Sequence, residues 1–198
     1  MISVNFLKGD RIVFLSFIGI FIFCLAITPP LVYSMESELK REEMMQTYTV
    51  INKPTIFLIG IQCRTSNAPE EGSRDIPRLW EKFYTEDIIN QIPHKCSQEI
   101  MALYCDYEGD YTQPYSCVIG CPVSSLEQIP DGMVAKVIPE GSYAVFSAIG
   151  EHPQSLIETW GKIWQTPLKR TYTGDYEVYG EKFFSDSAKE VSVFIAIE

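Results

Sequence analysis

From residue 48 onward, short apolar runs alternate with turn residues, and two stretches carry helical spacing instead. Residues 76–92 place Ile76, Leu79, Trp80, Phe83, Ile88 and Ile92 three or four positions apart, or at multiples of that spacing, which predicts a helix with Asp75 as N-cap and Pro77 in its first turn. Residues 154–165 repeat the pattern with Leu156, Ile157, Trp160, Ile163 and Trp164, and Pro167 marks the exit. The β-branched and aromatic runs over 55–62, 100–107, 116–122, 134–138, 143–150, 177–184 and 191–197 predict strands.

These elements lie over one another in order. Val50 to Leu58 matches Val137 to Val145, each a short apolar run, a tight turn with Pro or Gly and a second apolar run. Leu79-Trp80 answers Thr159-Trp160, Ala102-Leu103-Tyr104 answers Glu177-Val178-Tyr179, and Ser116 to Cys121 answers Ser192 to Ile197. Four matches in one order predict an α+β chain of tandem duplicated strand-helix-strand-strand modules, halves about 48–123 and 133–198. The modules would form a largely antiparallel sheet with two helices on one face and a ligand cleft between the halves.

The first 47 residues follow another pattern. Residues 12–28 are uncharged and apolar on all sides, preceded by Lys8 and Arg11 and stopped by Pro29-Pro30. Three readings fit: a membrane anchor, a cleaved signal segment ending near Val32-Tyr33-Ser34, or an over-extended reading frame whose start is Met35. The first two carry the body outside, as an anchored or exported domain, and the third leaves it cytoplasmic. Residues 1–34 are thus the membrane-directed segment and 35–47 a polar linker.

Charge narrows the partners. The formal net charge is -10, from 26 acidic and 16 basic residues, with no basic cluster, so direct nucleic-acid binding is not expected. Cys24, Cys63, Cys96, Cys105, Cys117 and Cys121 form no C-x-x-C pair, and with only His94 and His152 no zinc-finger spacing exists. Cys117 and Cys121 would lie on one strand face about 13 Å apart, too far for a disulfide, and buried free thiols are expected. No metal or cofactor is expected, since P-loop, dinucleotide glycine and G-x-S-x-G patterns are missing.

The stretch from Gly174 to Phe184 sets acids among aromatics. Strand alternation would put Glu177, Tyr179 and Glu181 on one face and Tyr176, Val178 and Gly180 on the other. Either the acids face water, or a carboxylate meets an aromatic pocket, where it would select a cationic or hydrogen-bonding ligand.

Ile138 to Phe146, Glu158-Thr159-Trp160 and Tyr176 to Tyr179, with Ile76 to Trp80 and Tyr115 to Val123 in the first half, resemble the GyrI-like small-molecule-binding family, which includes the effector-binding domains of AraC-type and MerR-type regulators. The resemblance covers residues 48–198. It implies two modules around a ligand cleft, with Glu177 as the charge partner of a cationic or amphipathic ligand and Tyr104, Tyr143, Trp80 and Trp160 as aromatic walls. Tyr179 and Tyr115 are further candidates, and each tryptophan equally suits core packing. Regulators of this family carry a DNA-binding domain before the effector domain, which residues 1–47 cannot form.

Three functions stay open. The first is a non-catalytic module that binds or senses a small amphipathic or cationic molecule. A hydrolase of strained electrophiles would use the same cleft, with Glu177 as general base and a tyrosine such as Tyr143 as acid. A protein-interaction module resembling a gyrase inhibitor would work through its acidic surface.

Overall fold

The computed structural model describes residues 48–68, 70–185 and 189–198. The chain order is β1 (Thr49–Lys53), β2 (Ile56–Thr65), α1 (Glu71–Thr85), α2 (Ile88–Gln91), β3 (Ile100–Cys105), β4 (Tyr115–Val123), β5 (Val134–Ile138), β6 (Gly141–Ile149), α3 (Gln154–Gln165), β7 (Asp175–Tyr179), α4 (Glu181–Phe184) and β8 (Glu190–Ile197). The strands make one sheet in the order β1-β6-β8-β7-β3-β4-β2-β5, with every neighbouring pair antiparallel. This is the α+β duplicated architecture that the sequence predicts.

Read from its centre, the order is symmetric: β7 matches β3, β8 matches β4, β6 matches β2 and β1 matches β5. Each short strand, however, pairs across the halves. Thr49 to Lys53 lies against Val145 to Gly141 of β6, while Ile56 to Gly60 of β2 takes Ile138 to Val134 of β5. At the middle, β3 and β7 join the halves, with Ala102 opposite Glu177.

Both faces of the sheet are buried, in different ways. One is covered by helices: Leu79 and Phe83 of α1 and Ile163 of α3 pack on Ile59, Ile61, Ile119, Val193 and Ile195. The other holds a cluster contributed by strands alone, including Leu58, Met101, Leu103, Val118, Ile138, Tyr143, Tyr176 and Phe194, as a curled sheet allows. The backbones of β2 and β4 approach closely where Gly60 faces Gly120, since a Cβ on either would lie 2.1 Å from a backbone oxygen of the opposing strand.

Several boundaries differ from those predicted. The first helix starts before residue 76, so Pro77 lies inside it, and Asp75 is no cap: its carboxylate accepts from Arg74 and from the Thr65 hydroxyl at 3.2 Å. The helix stops at Thr85 because Asp87 adopts a left-handed φ of 50°, which separates α2 from α1. β3 ends at Cys105. β7 ends at Tyr179, and the non-alternating Glu181-Lys182-Phe183-Phe184 makes a single helical turn, so Glu181 leaves the strand face of Glu177. α3 begins and ends where predicted. Cys63 and Cys117 face one another across β2 and β4 as free thiols, as are Cys96, Cys105 and Cys121.

The expected membrane helix is corrected here. Among the described residues no helix is long and apolar enough to cross a membrane, so the anchored or exported placement of the domain is withdrawn. The apolar run over 12–28 lies outside the described residues, as do Cys24 and the linker 35–47.

Candidate functional site

Glu177 sits in the middle of the sheet, between β3 and β8, facing the helices, and is 1% exposed. Three neutral donors meet its carboxylate. Tyr104 Oη donates to Oε1 at 2.9 Å, Trp160 Nε1 donates to Oε1 at 2.7 Å, and Tyr179 Oη donates to Oε2 at 2.7 Å. The duplication explains the arrangement: Tyr104 on β3 and Tyr179 on β7 are equivalent positions in the two halves, and Trp160 on α3 corresponds to Trp80 on α1. The symmetry breaks at the pair beneath them, where the small Ala102 leaves room for Glu177 opposite.

Burial pushes the Glu177 carboxyl above its usual range, and the hydrogen bonds from Tyr179, Trp160 and Tyr104 pull it back. Burial, and then the Glu177 charge, raise the phenols of Tyr104 and Tyr179 well above their ordinary value, so both stay protonated donors. No lysine or arginine among the described residues lies within ion-pair distance of Glu177. A carboxylate has about four acceptor positions, so the three donors leave Oε2 one lone pair without a partner.

Two adjoining cavities, of about 570 and 370 Å³, open between α1 and α3 and share Tyr104, Ser73, Ile76, Leu156, Ile157 and Glu177. Trp80, Tyr84, His152, Tyr179 and Phe183 complete the first, with the Trp80 ring edge-on to Tyr179 at 4.9 Å. Tyr107, Tyr111, Tyr115, Trp160, Trp164 and Arg170 complete the second. Both volumes fall in the range of small-molecule sites. Tyr84, Ile157 and Trp164 are 55%, 60% and 44% exposed and form an apolar rim.

Of the residues the sequence singles out, Glu177, Tyr104, Trp80, Trp160, Tyr179 and Tyr115 are brought together here. Tyr143 is not. It belongs to the strand-only cluster on the opposite face, donates to the Pro139 carbonyl at 2.8 Å and packs edge-on against Tyr176, so neither a wall nor an acid for Glu177 comes from it. Sequence reasoning missed Tyr107 because the strand predicted over 100–107 ends at Cys105 and leaves it in the loop beyond, Tyr111 because it lies between strands without periodicity, and Arg170 because its partner is recognisable only in space. Trp164 carried a signal, four residues after Trp160 on the same helix. No group of three or more His, Cys, Asp or Glu among the described residues could hold a metal ion.

Asp175 lies two residues before Glu177 on the same strand and is 0% exposed. It accepts from Arg170 Nη2 at 2.5 Å, Tyr107 Oη at 3.1 Å and the Ala196 N–H at 2.9 Å. The Arg170 side chain is 6% exposed and lies over the Tyr172 ring at 4.5 Å and the Tyr111 ring at 5.7 Å.

Known proteins share the fold of this chain. YobU of Bacillus subtilis, whose name assigns it only provisionally to transcriptional regulation, is 31% identical over 144 residues, covering 70% of this chain and 90% of its own. An integron cassette protein from the mobile metagenome of Vibrio cholerae superposes with a TM-score of 0.60 at 30% identity, over 77% of this chain and 97% of its own. SAV2435, solved with tetraphenylphosphonium bound, has the same fold at a TM-score of 0.63 and 15% identity, over 76% of this chain and 93% of its own. The profile of the Cass2 family, described as integron-associated effector binding protein, matches residues 49–197. This chain therefore belongs to the Cass2 family of effector-binding proteins, small-molecule-binding modules of the GyrI-like kind.

Proposed function

We propose that the cleft takes an amphipathic aromatic cation, with Glu177 as its charge partner and Tyr104, Trp160, Tyr179, Trp80 and Tyr115 as the surrounding aromatic surface. The observation that carries this reading is the incomplete neutralisation of Glu177. A fully buried carboxylate with three neutral donors and no counter-cation pays desolvation that a bound cation would offset. The flanking rings add roughly 0.5 to 2 kcal/mol each when desolvated against a cation. Tetraphenylphosphonium, held by a protein of the same fold, is a ligand of this class. The module senses or sequesters its ligand.

Quenching of tryptophan fluorescence by tetraphenylphosphonium tests the reading. Saturable binding is expected in the wild type, weakened roughly thirtyfold in Glu177→Gln through loss of the charge partner, about 2 kcal/mol. Equal affinity in the two proteins would remove Glu177 from the account.

A further inference from the structure

Two thiols meet beneath α1, and neither lines the cleft. Cys63 on β2 stands directly opposite Cys117 on β4, and both join the core on the helix-covered side of the sheet. Directly opposed residues of an antiparallel pair have Cα atoms about 4.5 or 5.5 Å apart, and both values lie within the span of a disulfide. The other strand cysteines have no such partner: Cys105 faces Ser116 and Cys121 faces Ile59.

Packing does not demand sulfur at this place. Counted outward from the central Ala102–Glu177 pair, the equivalent position in the second half is held by Ala148 opposite Val191, a buried aliphatic pair. The two sulfurs are also unequal. Cys117 is 0% exposed, whereas Cys63 is only half-buried. Cys117 donates a hydrogen bond to the Cys63 sulfur, which draws the Cys63 thiol below its ordinary value against burial and the Asp75 carboxylate. The same bond, and then burial, hold the Cys117 thiol well above its own. A thiolate is the reacting form, so the accessible partner attacks and the buried one resolves.

We propose that Cys63 and Cys117 form a peroxide-reactive dithiol, a modification site separate from the cation cleft. The Cys63 thiolate attacks one oxygen of a hydroperoxide. The O–O bond breaks, an S–O bond forms, and the other oxygen leaves as alcohol or water with a proton, so Cys63 becomes a sulfenic acid. The Cys117 sulfur then attacks the Cys63 sulfur and gives up its proton, and water departs as the S–S bond closes. Two thiols lose two electrons and the peroxide gains them. A dithiol reductant reverses the bridge by exchange.

The test exposes the reduced full chain to hydrogen peroxide at a dose that fully oxidises free cysteine, alkylates the remaining thiols in denaturant and locates the linkage by peptide mass mapping. Of the six cysteines, two are expected to escape alkylation, joined as Cys63–Cys117, and dithiothreitol should restore all six. Cys117→Val keeps the aliphatic volume that Val191 supplies in the second half but removes the resolving sulfur. In that variant Cys63 should be captured as a single adduct by dimedone, a trap for sulfenic acids. Cys63 and Cys117 that both stay alkylatable in the wild type overturn the proposal, as does a bridge from either of them to another cysteine. Absence of the dimedone adduct at Cys63 in the folded variant overturns its role as the attacking thiol; should the variant not fold, the wild-type linkage map alone decides.

Discussion

Asp175 and Glu177 share a strand, a face and complete burial, and the protein treats them oppositely. Asp175 is paired with Arg170 and also accepts from Tyr107 and the Ala196 N–H, so one of its three donors carries a full positive charge. Glu177 receives two phenols and an indole but no cation. Two carboxylates with the same desolvation thus divide the work. One is neutralised from within and fixes the loop after α3 to the sheet, and the other keeps an open demand facing a cavity. What distinguishes a structural acid from a candidate binding acid here is the identity of the third partner, since depth is the same.

That contrast can be broken at its structural end first. Arg170→Met alone leaves Asp175 buried and unpaired, and chemical denaturation should show a loss of about 3 to 5 kcal/mol; a loss under about 1 kcal/mol would mean that Asp175 is neutralised in some other way. Next comes Tyr179→Phe, which removes the sole protein donor to Oε2 of Glu177. Losing a hydrogen bond to a charged group should cost about 1.5 to 3 kcal/mol by the same measurement. It should also raise the pH at which cation binding is lost, because the carboxylate is less well solvated.

The pH dependence sharpens the comparison further. Burial raises the Glu177 carboxyl and lowers His152 on the wall of the first cavity. As pH falls, Glu177 takes up a proton and His152 gains a positive charge, and both oppose a bound cation. Tetraphenylphosphonium affinity should therefore fall as the pH is lowered, approaching about tenfold per unit below the carboxyl's ligand-free pKa. An affinity that rises on acidification would contradict the assignment. For stability the sign is the reverse. The raised Glu177 contributes fully below the ordinary carboxyl value of 4.5 and that contribution is lost as pH rises through its folded pKa. Glu177→Gln should accordingly change neutral-pH stability least of all, by under about 1 kcal/mol, since it removes a buried charge whose pairing is incomplete. A fall as large as that of Arg170→Met would make Glu177 structural.

Much of this was legible in the residues. Alternation in Tyr176-Glu177-Val178-Tyr179 put Glu177 and Tyr179 on one face, and the internal matches implied a second phenol at Tyr104. Tyr143 shows the limit: in Tyr143-Ala144-Val145-Phe146 every residue is apolar or aromatic, and a strand buried on both faces carries no alternation from which its parity could be read. The start of α1 was misplaced because Pro77 looks like a first-turn proline, whereas the helix gives up one backbone hydrogen bond to run through it. The pairing of Arg170 with Asp175 had no periodic signature, and the membrane placement drawn from the apolar N-terminal run finds no spanning helix among the described residues.

The crossing of β1 and β5 to opposite halves bears on how such a chain can arise. A lone module carries its short strand where it cannot pair with its own neighbour, so one copy leaves an arm and an edge unmatched. Two copies close the sheet by lending arms to each other, as in a swapped homodimer with twofold symmetry. Joining them through residues 124–133 converts an assembly governed by subunit concentration into one governed by tether length. Fusion also releases the two copies from identity, and an acid can then occupy one side of the axis while alanine keeps the other.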